Sequence, residues 1–335
     1  MTLLERLAVP FFFIVLFASA AVLTSPATAL MEDSAATALS FTRFDTLFSY
    51  PAGMTPGPDH ALWFSYRNAA VIGHLTTAGA ITLVPIPGGT FSVLPYGIVT
   101  GPDGNIWLTE TAMSAIVRVT PAGAAKRFGV PRPTTAPTAG PMDIAVGPDG
   151  ALWFTEFIGN KIGRITTAGA LKVFSLPNAD SEPTGITAGP DGNLWFAETK
   201  GNKIGRLTPL GVLKQFPLPT PQSQPGKIVT GPDRNLWFTE VGKIGRMTPQ
   251  GVLKEFRLPA RNPLTFPFGL TVGPDGNLWF TEPGTIGRIT TAGIITEFAA
   301  PVGTGGYPGA ITRGPDGNLW FTGNLFFIGR INFHH

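Results

Sequence analysis

Gly189-Pro190-Asp191-Gly192-Asn193-Leu194-Trp195-Phe196-Ala197-Glu198 leads into Gly201-Asn202-Lys203-Ile204-Gly205-Arg206-Leu207 and then Val212-Leu213-Lys214-Gln215-Phe216-Pro217-Leu218-Pro219. The phrase recurs, and every tryptophan of the chain lies in a copy of it: Trp63, Trp107, Trp153, Trp195, Trp237, Trp279 and Trp320. Successive tryptophans are 44, 46, 42, 42, 42 and 41 residues apart. A period of about 40–50 residues rich in strand signals marks a propeller blade. Seven copies therefore predict an all-β, seven-bladed β-propeller.

Each copy reads as four short antiparallel strands. In the third, 143–146 is a strand, and Gly147-Pro148-Asp149-Gly150 turns the chain, Pro setting φ and Gly accepting a positive φ. Residues 151–156 alternate around Trp153 as the second strand, 161–166 form the third and 170–175 the fourth. The last copy stops at a third strand, Ile328-Gly329-Arg330-Ile331-Asn332-Phe333, while 41–48 match a fourth strand such as 254–258. Residues 41–48 are thus expected to pair with 326–333, complete the last blade and remove two exposed edges. The propeller is assigned to 41–333, with a tail at 334–335.

Composition narrows the partners. Charged residues make up 13% of the chain and the net charge is +3, with no Lys/Arg cluster, which argues against nucleic acid. The 42 glycines and 33 prolines recur at fixed places in the repeat and read as turn chemistry, not disorder. Residues 7–23 are almost wholly apolar and Ala27-Thr28-Ala29 is a small-x-small cleavage site. A signal peptide is expected over 1–29 and a linker over 30–40. Glu5 offsets Arg6 in the leading region, so an uncleaved anchor is the alternative. The expected protein is secreted, periplasmic or extracellular, monomeric, and without a membrane partner after cleavage. It has no cysteine, and a core of this size can do without disulfides.

Two charged series run through the repeat. Glu110, Glu156, Glu198, Glu240 and Glu282 follow their tryptophans by three residues, and Arg118, Arg164, Arg206, Arg246 and Arg288 lie on the next strand. The blade-one counterparts are Tyr66 and His74. Since both members change together, a cross-strand ion pair is expected rather than a catalytic or metal-binding ring. Asp59, Asp103, Asp149, Asp191, Asp233, Asp275 and Asp316 are read as turn formers rather than calcium ligands.

The phrase Gly-Pro-Asp-Gly-Asn-Leu-Trp-Phe-Thr-Glu, Asn-Lys-Ile-Gly-Arg-Ile-Thr, Phe-x-Leu-Pro closely resembles that of the streptogramin B (virginiamycin B) lyase family, over about 41–333. The resemblance implies a seven-bladed propeller and, for the founding enzymes, elimination that opens a cyclic depsipeptide at its ester. In that family a His base removes a Cα proton and Mg²⁺ holds and polarises the substrate. The resemblance places two His just after a Pro at the start of the innermost strand in the last two blades. This chain has that Pro seven times, at Pro51, Pro95, Pro141, Pro183, Pro225, Pro267 and Pro308, followed by Ala52, Tyr96, Met142, Thr184, Gly226, Phe268 and Gly309. None is His. Phe268 and Gly309 stand at the two family positions, Tyr307 where a Glu would precede the last Pro, and Gly323 or Asn324 where another functional Glu would fall. His60, His74, His334 and His335 match no such position.

No catalytic or metal-binding residue and no cofactor is therefore predicted; Mg²⁺ enters only if the lyase reading holds. The channel mouth is expected to offer Tyr96, Met142, Asp143, Glu182, Thr184, Lys227, Phe266, Phe268 and Tyr307, an aromatic and apolar surface with a few charges. It suits a small molecule, peptide or glycan, or else these residues plug the channel. The alternatives are a divergent carbon–oxygen lyase with Glu182, Lys227 or Tyr96 as base, or a propeller lactone hydrolase.

Overall fold

A computed structural model of the protein describes residues 39–48, 50–86, 95–134, 136–259, 265–300, 309–323 and 326–333. The segments expected as signal peptide and tail lie outside these residues, as does Tyr307. The described chain forms seven four-stranded antiparallel sheets and no helix. In six of them the strands follow one another in sequence, from the innermost outward. Blade three consists of Pro141–Val146, Leu152–Glu156, Lys161–Ile165 and Leu171–Ser175.

The seventh sheet differs. Its outer strand is Ser40–Asp45, the first of the chain, antiparallel to Phe327–Asn332, with Ser40 opposite Asn332 and Asp45 opposite Phe327. Leu319–Thr322 and Ile311–Arg313 complete it inward. The Thr46 amide continues the ladder to the Phe326 carbonyl at 2.7 Å.

A blade has two apolar faces and can bury neither alone. Trp153 and Ile162 point to the next blade, packing with Ile186, Leu194 and Phe196, whereas Leu152 and Phe154 point back to Trp107 and Ile116. In blades two to seven the outer strand supplies a phenylalanine that stacks on the indole, as in Trp153–Phe174 at 5.4 Å and 17°; blade one has Val84 beside Trp63 instead. In the seventh blade this ring is Phe44, 5.1 Å from Trp320 at 25°. Ile-Gly-Arg recurs on the third strand because Phe154 lies over Gly163. A Cβ there would be 2.1 Å from the ring.

The turn aspartates are anchors. Asp149 Oδ1 accepts from the Trp153 indole at 2.9 Å and from the Ala151 amide at 3.3 Å, while Oδ2 accepts from Arg164 Nε at 2.7 Å. Burial opposes ionisation of Asp149, but the indole, Arg164 and the amide outweigh it and hold the carboxyl below the usual range. In blade one His74 takes the arginine's place, 2.8 Å from Asp59.

This arrangement overturns the expected Glu–Arg pairs. Arg164 lies opposite Trp153, and Glu156 opposite Lys161. Paired positions in this hairpin have an odd sum, so residues an even number apart across it point to opposite faces. The shorter hairpins of blades five and six preserve that parity: Trp237 faces Arg246 and Glu240 faces Lys243. The arginines serve the Asp–Trp turn, and the glutamates turn to the other face and toward the outer strand. Glu110 is held bidentately by Arg127 at 2.5 and 2.8 Å, and Glu198 by Gln215 at 2.7 and 2.9 Å. The equivalent of Arg127 and Gln215 in blade three is Val173. Glu156 is fully buried and neither of its oxygens has a hydrogen-bond partner among the described residues. Burial raises its carboxyl to about 7, against the pull of Lys161.

Candidate functional site at the channel mouth

The inner strands begin at the end of the propeller opposite the Gly-Pro-Asp turns. Their backbones converge there, and the residue two past each Pro decides how closely. It is Gly53, Gly97, Gly185 and Gly269 in four blades. A Cβ on Gly97 would lie 2.6 Å from the Met142 carbonyl oxygen, and one on Gly185 2.4 Å from that of Gly226. A hydroxyl two residues after six of the seven Trp fastens this contact. Ser65 accepts from the Gly53 amide at 3.0 Å and donates to the Tyr96 carbonyl of the next blade at 2.9 Å. Thr109 binds Gly97 and Met142 in the same way, and Thr155 binds Asp143 and Thr184. Thr322 donates to the Ala52 carbonyl at 3.3 Å and so links the last blade to the first. Ala197 breaks the series in blade four, where Thr199 donates to the Pro225 carbonyl at 2.7 Å instead.

In blades three and five the position two past Pro carries charge. Lys227 Nζ donates to Asp143 Oδ2 at 2.7 Å, joining blades that flank Gly185 of blade four. Asp143 Oδ2 also accepts from the Ile186 amide at 3.2 Å, and Oδ1 from the Ile144 amide at 3.1 Å. The Asp143 side chain is 12% exposed and that of Lys227 35%. The inner strands of blades three to five are thus tied by one buried carboxylate.

The other expected residues that the structure describes are each held by different neighbours. Tyr96 lies under Arg67, whose guanidinium carbon is 4.9 Å from the ring centroid. Burial pushes the Tyr96 phenol up, Arg67 pulls it down and Asp143 pushes it up further, for a net rise. Phe266 and Phe268 lie 6.0 Å apart at 56°. Met142 is buried. Thr184 is engaged by Thr199, hydroxyl to hydroxyl at 2.8 Å. Glu182 is at the rim, where its positive φ of 52° aims the backbone into the turn before Pro183, and its Oε1 is 3.7 Å from Lys200 Nζ. Arg67 and Thr199 were not anticipated. Arg67 falls in the blade-one hairpin, outside the inner-strand pattern. Thr199 could have been found from the Ala197 gap in the Ser/Thr series.

Among the described residues the donor set does not fit Mg²⁺. No three of their His, Asp or Glu side chains cluster as ligands. Asp143, the carboxylate facing the channel, already spends its oxygens on an ammonium and two amides. A hard cation needs free carboxylate or water oxygens in a near-octahedral set. His60 lies in a Gly-Pro-Asp turn at the other end, with φ of 59°, and His74 on a third strand.

A ring of seven four-stranded antiparallel blades defines a seven-bladed β-propeller. The sequence matches the model of the Virginiamycin B lyase family over residues 29–262 and 241–334, and the chain belongs to that family. A streptogramin B lyase structure superposes with a TM-score of 0.83 at 34% identity, covering 90% of this chain and 100% of the other. The virginiamycin B lyase from Staphylococcus aureus gives 0.81 at 35%, covering 88% and 100%. A catalytically inactive histidine-to-alanine variant of that enzyme, with quinupristin, gives the same values. The WD40 β-propeller domain of Doa1, with a TM-score of 0.70 at 9% identity over 88% of this chain and 98% of its own, shares the fold alone. No curated protein matches the chain.

Proposed function

We propose that this family member is an exported binding propeller that takes a small molecule, peptide or glycan at the channel mouth and does not linearise streptogramin B antibiotics. The observation that carries this reading is the ion pair of Lys227 and Asp143 at the mouth. It occupies the acid and the amine that could otherwise have moved a proton. Phe268 and Gly309, at the two positions where the family resemblance calls for His, have no titratable group. Tyr96, the remaining candidate base, is pushed toward its neutral phenol form by burial. General-base help is typically worth about 10²–10⁴ in rate, and no group near the mouth is free to supply it among those described.

The second reading, a divergent carbon–oxygen lyase, is favoured by the 34–35% identity to streptogramin lyases over their whole length. One experiment separates the two. The protein is incubated with a streptogramin B antibiotic, with and without Mg²⁺, and the products are examined by chromatography and mass spectrometry. Intact antibiotic is expected. A linear product of unchanged mass, lost in a channel-mouth variant, restores the lyase. The double variant Phe268→His with Gly309→His tests whether the scaffold accepts the missing chemistry.

A further inference from the structure

The end of the propeller opposite the channel mouth differs from blade to blade. There, in blades one to six, the third strand turns into the outer strand through a tight turn ending in glycine. The residue after that glycine is Ala80, Ala124 and Ala170 in blades one to three. In blades four to six it is Val212, Val252 and Ile294, each 67% exposed, and Leu210 beside them is 88% exposed. The turn does not require the larger side chains. Ala170 N donates to Thr166 Oγ1 at 3.0 Å, just as Val252 N does to Thr248 Oγ1 at 3.1 Å. Singly exposed apolar residues are ordinary. Here they fall on three consecutive blades and leave the other three with alanine.

On blades four to seven this end exposes lysine and arginine. Lys214 and Lys254, two residues beyond the valines, are exposed, each over a phenylalanine ring at 4.7 and 4.8 Å. Arg234 stands exposed in the blade-five turn and Arg313 at the end of the blade-seven inner strand. The acids here, Asp191, Asp233, Asp275 and Asp316, are each paired with an arginine at 3.6–3.8 Å. Blade seven, next to blade six, holds Ser40 opposite Asn332 at this same end, where other blades have their turn.

We propose that this rim of blades four to six docks on a lipid bilayer carrying anionic headgroups, leaving the channel mouth facing away. Leu210, Val212, Val252 and Ile294 enter the boundary between headgroups and acyl chains, and the flanking lysines meet lipid phosphates. This departs from the expectation of no membrane partner and does not depend on what the channel mouth binds.

Because the chain has no cysteine, the test is clean. An environment-sensitive fluorophore is placed on the full chain at Val252→Cys, or at the equivalent Ala124→Cys of blade two as control. Each protein is mixed with vesicles of phosphatidylcholine alone or with phosphatidylglycerol added. With anionic vesicles the protein should float, and the label at 252 should shift to the blue and become shielded from a soluble quencher, while the label at 124 stays in water. Lys214→Gln and Lys254→Gln should each weaken binding about fivefold. Absence of flotation overturns the proposal. So does flotation with the 252 label as accessible as the 124 label, which would mean that residues 1–39 bind lipid without this rim.

Discussion

Asp143 and Lys227 meet at 2.7 Å across an intervening blade, although 84 residues separate them in the chain. The two partners are not equally committed. Asp143 also accepts two backbone amides, whereas Lys227 is a third exposed. Asp143→Ala strands the Ile186 amide and the ammonium together and should cost about 2–3 kcal/mol. Lys227→Met leaves the carboxylate with its amide donors and should cost about 1 kcal/mol or less. Urea unfolding of both variants measures the difference, and equal losses would show that the amides contribute nothing.

Glu156 makes stability depend on pH in a direction opposite to that of an ordinary paired carboxylate. Its folded value of about 7 lies above the unfolded one, so the folded state binds the extra proton between about pH 4.5 and 7. Stability attributable to this group is full below the lower bound, falls as pH rises through the window and is flat above it. Glu156→Gln should therefore match the parent near pH 4 and exceed it at pH 8, by up to about 3 kcal/mol. Val173→Gln, which places in blade three the donor that Gln215 gives Glu198, should act in the same sense. A Glu156→Gln effect that does not change between pH 4 and pH 8 would sink this reading.

In blade two the same acid already has its partner. Arg127→Ala leaves the fully buried Glu110 uncompensated, with an expected loss of about 3–5 kcal/mol. Arg127→Gln restores a donor and should recover most of it. Thermal unfolding near neutral pH reads both, and similar losses in the two variants would show that the arginine acts by packing alone.

Phe44 connects the chain's beginning to its end through Trp320. Phe44→Ala should cost about 1–3 kcal/mol, less than the ~3–5 of a fully buried ring, because Phe44 is only half-buried. Removing residues 40–45 should go further, leaving Phe327–Asn332 as a bare edge and causing aggregation or a broad melt. A truncated chain that melts like the parent would deny the outer strand any part in closure.

The fold was legible because seven blades must bury two apolar faces each, which forces Trp, Phe and Gly to recur in phase. Gly-Pro-Asp marked the aspartates as turn formers, but not their hold on the indole and the arginine. The partner of each arginine was not legible. The joint change to Tyr66 and His74 in blade one does not fix which residues face each other across the hairpin, and a one-residue register difference moves a side chain to the other face. Val173 gave no hint that Glu156 lacks a donor, since that depends on a residue 17 positions away. The channel mouth was only partly legible. Asp143 and Lys227 were visible as charged exceptions in a row of glycines, but their meeting depends on ring geometry. Arg67 and Thr199 come from hairpins outside the pattern that singled out the mouth.

The antiparallel pairing of Ser40 with Asn332 also sets how the ring would respond to force. Both ends of the propeller chain leave the same end of one blade, from residues directly opposite each other. Tension applied between them loads the ladder one pair at a time, first Ser40 with Asn332 and last Asp45 with Phe327, rather than all together. Opened in this way, the propeller is a zipper with its slider at the termini. It should yield at low force by peeling off the first strand, while pulling between interior blades would shear whole sheets and meet far greater resistance.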